Sequence, residues 1–171
     1  MRTVILSLVD YMYWVNHRLL DAADGLPPEA FVQGTTVTTR PLRATLVHEL
    51  DVEWSWRLNL QGRPMEEWGP DEELNPADYP DVASLREHWQ RDEADMRSWL
   101  NALTDDDCLA PTSSAFTEDA RPLWQYIVHI VTHAAQQQAD TATLLTQAGR
   151  SPGEIGYLDY LRVIEAPDRS G

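Results

Sequence analysis

Residues 122–140 read PLWQYIVHIVTHAAQQQAD, a stretch that decides the fold because its apolar side chains recur with the period of an α-helix. Pro122 is placed to open this helix, and Gly149 is placed to end it. Residues four apart lie on one face of a helix, so His129 and His133 form an H-x-x-x-H pair. Two imidazoles at that spacing are able to bind one metal ion, although such pairs also occur by chance. The stretch therefore predicts a long helix of a bundle and a candidate metal site.

Three other long segments share this helical recurrence, and loops rich in proline or acidic residues separate them. They run from Thr3 to Asp24, from Leu42 to Leu60 and from Asp81 to Leu103, and a shorter segment runs from Pro152 to about Val163. Four long amphipathic segments predict an all-α fold, a four-helix bundle that forms one domain over residues 1–171 and carries a short C-terminal helix. The stretch between Pro64 and Pro80 predicts a long crossover loop between helices 2 and 3, and residues 104–119 are predicted to form an acidic loop.

Acidic residues outnumber basic ones by 28 to 13, which gives the chain a formal net charge of −15. Such a charge repels nucleic-acid phosphates and anionic membrane surfaces, so we expect no nucleic acid and no membrane as a partner. No apolar run is long enough to cross a membrane, and the first residues lack the apolar core of a signal peptide, which predicts a cytoplasmic protein. Cys108 is the only cysteine and follows three aspartates, so we expect neither an internal disulfide nor a reactive thiolate.

A helical wheel separates the candidate ligands of the last long helix. With His133 at zero and about 100° per residue, Gln137 falls at about +40°, inside the apolar stripe, and His129 falls at about −40°, away from it. A site inside the bundle would therefore be faced by His133 and Gln137 better than by His129. In the second segment His48 lies at the margin of the buried face, from which it can point toward the last helix. The residues that mark that face are Val47, Leu50, Asp51, Val52, Trp54 and Leu58.

Four stretches of the chain together resemble a known family. They are residues 14–23, residues 42–54 with 60–62, the helix that carries His129 and His133, and residues 144–155 with 158–161. In order and spacing they are similar to the DinB-like family of four-helix-bundle metalloproteins. The resemblance implies an open site in which three histidines bind a divalent metal ion, Zn²⁺ or Ni²⁺. One ligand comes from the second helix, here His48, and two come from the last long helix four residues apart, here His133 and Gln137.

The last of these positions departs from the family pattern, because Gln137 stands where a histidine is expected. An amide oxygen is a much weaker donor to zinc or nickel than an imidazole nitrogen, so the set of His48, His133 and Gln137 is predicted to bind a metal weakly. Two other residues would strengthen the site. Asp140 would add a carboxylate on the same face, or His129 would replace the missing ligand by shifting the site one turn along the helix.

The resemblance also implies a function, that of a metal-dependent enzyme that acts on a small-molecule substrate in thiol S-transferase or hydrolase chemistry. Three protein ligands leave open positions at which a metal activates water or a low-molecular-weight thiol. Asp51, one turn along from His48, is a candidate to orient an imidazole N–H. The alternative, which the missing histidine favours, is a non-catalytic, metal-poor stress-response or binding module on the same bundle.

A homodimer is the predicted oligomeric state. Trp124, Val128 and Val131 form a second apolar face on the back of the last long helix. An apolar face that the rest of the chain does not cover is typical of a subunit interface. The same face would instead be covered within the chain if the C-terminal segment packed onto it.

Overall fold

The computed structural model describes residues 1–64 and 73–166, and within them it is 69% helical with seven helices. The helices are α1 (Arg2–Ala23), α2 (Pro28–Val32), α3 (Leu42–Leu60), α4 (Val82–Ala102), α5 (Asp105–Leu109), α6 (Leu123–Gln147) and α7 (Tyr157–Glu165). The other elements are a 3-10 turn (Pro76–Asp78) and two antiparallel strands of two residues each, β1 (Pro111–Thr112) and β2 (Arg121–Pro122). The predicted all-α bundle is confirmed, and no helix in the described ranges has both the length and the apolar character to cross a membrane.

The bundle consists of the four long helices α1, α3, α4 and α6. Both α6 and α4 pack against α1 and α3. The helices α1 and α4 run antiparallel, because Asp10 near the start of α1 pairs with Arg97 late in α4, and Asp24 just past the end of α1 pairs with Arg86 early in α4. The helices α1 and α3 are thus neighbours of both α4 and α6. The side chains of α6 meet those of α3 along one edge of the bundle.

The helices α3 and α4, by contrast, run parallel. Glu53 of α3 accepts a hydrogen bond from the Trp89 indole N–H at 2.9 Å, and Arg57, one turn later, pairs with Asp92 at 2.5 Å. The contacts thus advance in the same direction along both helices. A chain that leaves the end of one helix and enters the start of a parallel neighbour must return along the length of the bundle. The connection between α3 and α4 is therefore the predicted crossover.

The described part of this crossover, residues 73–81, passes beside α3. The backbone N–H of Leu74 donates to Oδ1 of Asp51 at 2.8 Å, and the turn Pro76–Asp78 packs against α3. Residues 65–72 of the predicted loop lie outside the described residues. Because Asp51 follows His48 by one turn, the crossover runs past the edge of α3 that carries the first candidate ligand.

One predicted loop contains a helix, because α5 lies within residues 104–119. Thr104 caps this helix: its hydroxyl accepts from the Asp107 N–H at 3.2 Å, and the Asp107 carboxylate accepts from the Thr104 N–H at 2.8 Å. Carboxylates in the first turn are favoured by the helix dipole and by the unpaired N–H groups there. The acidic run that indicated a loop therefore begins a short helix.

The buried face of α3 differs from the prediction. The residues predicted as buried that are only half-buried are Asp51, Val52, Trp54 and Leu58. Glu49 and Glu53 are instead among the least exposed side chains, at 0% and 1%, and Arg57 is buried with them. The prediction was wrong because it followed the apolar side chains of this helix and left Glu49, Glu53 and Arg57 out of the buried face. Hydrogen-bond donors to Glu53 and an opposite charge beside Arg57 offset part of the free energy of removing these groups from water.

Candidate histidine site

His48 of α3 and His133 of α6 meet across the edge of the bundle. Their Nε2 atoms are 3.3 Å apart, and their ring centroids are 5.1 Å apart with the planes at 74°. Both side chains are half-buried, so the pair is supported by the core and still reached by solvent. The packing of α3 against α6 brings together two residues that are 85 positions apart in the chain.

Burial lowers the pKa of both imidazoles. For His133 the pKa falls to about 4, first because of desolvation and then because of the neighbouring His48, His129 and Arg40. For His48 desolvation is again the main cause, and the positive charge of Arg40 adds to it. Both rings are therefore neutral at pH 7, and each neutral imidazole has one nitrogen whose lone pair can bind a metal ion.

The spacing of the two nitrogens suits a divalent metal ion. Two nitrogen ligands on a tetrahedral zinc ion, with Zn–N bonds of about 2.0–2.1 Å, lie about 3.3–3.4 Å apart. The 3.3 Å between the Nε2 atoms of His48 and His133 matches that separation. No group of three His, Cys, Asp or Glu side chains able to hold a metal occurs within residues 1–64 and 73–166. The donors fit an ion held by two imidazoles, with a neutral amide as the candidate third ligand.

Gln137 is that candidate. It lies one turn along α6 from His133 and is 9% exposed, and its amide makes no hydrogen bond with any residue in the described part of the chain. His129, one turn in the other direction, is exposed, and its ring centroid is 6.3 Å from that of His133. The His129 ring packs against Trp56, with 5.0 Å between centroids. The wheel therefore ordered these residues as the structure does, while the role of Gln137 as a ligand stays a prediction.

Two carboxylates considered as helpers of the site are placed differently. Asp51 uses Oδ1 to accept from Leu74 N–H, and no hydrogen bond joins it to His48 among the described residues, so it anchors the crossover and does not orient the imidazole. Asp140 is half-buried, and it is not grouped with the histidines as a metal-binding set in the part of the chain that the structure describes. Within residues 1–64 and 73–166, no carboxylate side chain therefore joins His48 and His133 in a metal-binding group.

A cavity of about 250 Å³ opens beside His48. Its lining residues are Arg40, Ala44, Val47, His48, Asp51, Glu73, Leu74 and Pro76. Three of them belong to the crossover and four to α3, so the return path of the chain forms one wall of the cavity. A small molecule can therefore lie next to the His48 imidazole, between α3 and the crossover.

A second titratable pair, Glu49 and Glu53, was missed from the sequence. It lies on α3 next to the histidine site, facing the centre of the bundle. A signal was present, because polar residues recur every four positions at Thr45, Glu49, Glu53 and Arg57, which is one face of a helix. A prediction that locates the buried face of a helix from its apolar residues misses such a polar face, since charged side chains are seldom buried.

The back of α6 and the C-terminal helix bear on the predicted homodimer. Val131 is buried at 7% exposure within the chain, and Trp124 and Val128 are half-buried. The helix α7 packs on α1, where Tyr160 contacts Tyr11 with 6.0 Å between ring centroids. Two of the three residues of this apolar face are therefore only half-buried within one chain, and the homodimer stays a prediction.

The fold and the site together define a class of protein, an all-α bundle with a half-exposed histidine pair between its second and last long helices. The chain belongs to the DinB family, whose family model matches residues 1–169. The resemblance seen in the sequence is therefore confirmed over nearly the whole chain. No curated protein matches the sequence.

Proposed function

We propose that the chain is a metal-dependent enzyme that acts on small molecules in thiol transfer or hydrolysis. The observation that carries the proposal is the 3.3 Å separation of the His48 and His133 Nε2 atoms beside a cavity of about 250 Å³. Imidazole ligands must be neutral to bind a metal, and the lowered pKa of each ring meets that condition at pH 7. A cavity next to the pair supplies room for a substrate.

His48 and His133 would hold the ion, and Gln137 would supply its amide oxygen as a weaker third ligand. When bound, a divalent ion supplies Lewis acidity, which lowers the pKa of a water or thiol that it coordinates. The chain contributes the rest of the environment. Val47 and Leu74 on the cavity wall would exclude water from one side of the substrate, and the hydrogen bond that the Leu74 N–H donates to Asp51 keeps that wall in place.

The second candidate is a metal-poor binding module on the same bundle. Two observations favour it: Gln137 replaces a strong ligand with a weak one, and the charge of Arg40 acts on both imidazoles and would repel a metal cation. In this alternative the cavity binds a small molecule and does not catalyse a reaction of it. A cytoplasmic location stays a prediction under either candidate.

Metal titration of the purified protein separates the two candidates. The protein is loaded with Zn²⁺ or Ni²⁺, freed of excess ion and assayed for metal, and its affinity is measured by competition with a chelator of known affinity. We expect about one ion per chain, and about 100-fold weaker binding in His48→Ala and in His133→Ala.

His129→Ala is the matched control, since it removes a neighbouring imidazole of the same helix that is exposed and packs against Trp56. It should bind the ion as the wild type does. Equal loss in His129→Ala would place the ligands one turn away from the proposed set. A wild-type chain that binds no ion above the level of His133→Ala would overturn the enzyme proposal in favour of the binding module.

A further inference from the structure

The cavity beside His48 carries charges of both signs that do not pair with each other. Arg40, Asp51 and Glu73 all line its wall. Within residues 1–64 and 73–166 the Arg40 guanidinium makes no hydrogen bond and no ion pair, whereas Arg57, Arg86 and Arg97 each pair with a carboxylate. A cation and two carboxylates in one cavity, held apart, are complementary to a ligand that bears both charges.

The frame that holds these charges is well supported. The Arg40 carbonyl accepts from the hydroxyls of Thr38 at 2.7 Å and Thr45 at 3.1 Å, which ties the residue to the start of α3. Asp51 is held by the Leu74 N–H at 2.8 Å. The Arg40 backbone and the Asp51 carboxylate are thus fixed before a ligand arrives, which lowers the conformational entropy that binding costs at these two positions.

We propose that this cavity binds a small zwitterion with the head group of an α-amino acid. The ligand carboxylate pairs with Arg40, whose planar guanidinium presents two parallel N–H donors to a carboxylate. The ligand ammonium lies between Asp51 and Glu73. Its side chain then points past Ala44 and Val47 toward His48 and His133. An amino acid of small side chain fits the volume of about 250 Å³.

The proposal rests on the proposed function for what happens at the end of that side chain, where a thiol or hydroxyl would meet the metal site. Recognition of the head group does not need the metal, because none of Arg40, Asp51 and Glu73 belongs to the ligand set. The binding test is therefore made on metal-free protein in a chelating buffer, so that the outcome is separate from that of the metal titration.

The probes are L-serine, ethanolamine and 3-hydroxypropionate, measured by isothermal titration calorimetry. Ethanolamine is serine without its carboxylate, and 3-hydroxypropionate lacks the ammonium group. We expect saturable binding of serine, and binding at least about tenfold weaker for each truncated compound, because each leaves one side of the cavity without its counter-charge. Ethanolamine or 3-hydroxypropionate binding as tightly as serine overturns the two-charge recognition, and so does the absence of serine binding.

Variants assign the contacts. Arg40→Gln and Asp51→Asn should each weaken serine binding about tenfold or more, and Asp51→Asn keeps an oxygen that accepts from Leu74. Arg43→Gln is the matched control, because Arg43 lies on the first turn of α3 and does not line the cavity. An equal loss in Arg43→Gln would assign the effect to overall charge and overturn the assignment to the cavity. Serine binding with no metal binding would refute the enzyme proposal alone, and metal binding without serine binding would refute this one alone.

Discussion

The histidine pair and the buried carboxyl pair share one helix and differ in access to water. His48 and Glu49 are consecutive residues of α3, yet the histidine points to a half-exposed edge and the glutamate is 0% exposed. His48 meets His133 beside a cavity, whereas Glu49 faces Glu53 and the bundle centre. A helix turns by about 100° per residue, so adjacent positions serve different environments.

Glu53, one member of the carboxyl pair, is held by a network of hydrogen bonds that joins all four long helices. Glu53 accepts from the Asn16 amide at 3.0 Å and from the Trp89 indole at 2.9 Å, and the Gln138 amide donates to Asn16 at 2.6 Å. Desolvation raises the pKa of Glu53 to about 8, and desolvation followed by the charge of Glu53 raises the pKa of Glu49 well above its usual value. The two pairs thus differ in their access to solvent. The histidine pair can bind a ligand from solution, whereas the Glu49–Glu53 pair retains protons in the protein interior because its pKa values are raised.

The largest expected effect comes from removing the buried carboxyl group of Glu53. Glu53→Ala leaves the donors of Asn16 and Trp89 without an acceptor and opens a cavity, so the free energy of unfolding should fall by about 3 kcal/mol or more. Urea denaturation measures it. The control is Glu87→Ala, whose carboxylate forms an exposed pair with Arg91 and should matter by less than about 0.5 kcal/mol. Equal effects of the two substitutions would show that burial of Glu53 contributes nothing.

The raised pKa of Glu53 should also be visible in the pH dependence of the free energy of unfolding. The pKa of Glu53 is higher in the folded chain, at about 8, than in the unfolded one, so the folded state binds more protons between those values. Its contribution is full below the unfolded pKa of about 4.5 and is lost as the pH rises through about 8. Urea denaturation at pH 5, 6, 7 and 8 should therefore show stability that falls more steeply in the wild type than in Glu53→Gln.

The difference in slope between wild type and Glu53→Gln should approach about 1.4 kcal/mol per pH unit, the value for one proton. Glu87→Gln serves as the control and should keep the wild-type slope. Parallel curves for wild type and Glu53→Gln would mean that Glu53 is ionised in the folded protein throughout this range, and would remove the distinction between the two pairs.

A third prediction concerns the histidine pair, His48 and His133. Gln137→His supplies the imidazole that the family pattern has at this position, so Zn²⁺ or Ni²⁺ should bind at least about tenfold more tightly. Competition with a chelator measures the change. Gln136→His adds an imidazole to an exposed neighbouring position and should leave the affinity unchanged. An unchanged affinity in Gln137→His would show that residue 137 does not face the metal.

The smallest expected effect concerns the charge beside the histidines. Arg40→Gln removes a cation that acts on both imidazoles, so metal affinity should rise by about threefold. The change is small because solvent reaches the site and screens the charge. Arg43→Gln should change the affinity less than Arg40→Gln does in the same competition assay. A fall in affinity for Arg40→Gln would contradict the repulsion between guanidinium and ion.

The histidine site was within reach of the sequence because its geometry depends on helical periodicity. The wheel placed His133 and Gln137 toward the bundle and His129 away from it, and the resemblance pointed to His48 on another helix. The direction of α4 was less accessible, since loop length allows a crossover without requiring one. The burial of Glu49 and Glu53 could not be read from an apolar stripe, because their environment consists of donors on α1, α4 and α6 that are distant in sequence.

The Trp89 indole, which donates to Glu53 at 2.9 Å, makes the carboxyl pair visible to fluorescence. The excited state of indole is more polar than its ground state, so the emission wavelength of Trp89 depends on whether its acceptor carries a charge. A difference spectrum between the wild type and Trp89→Phe isolates this chromophore from the six other tryptophans of the chain. The protein therefore contains an optical reporter of its own interior, which can be read without labelling.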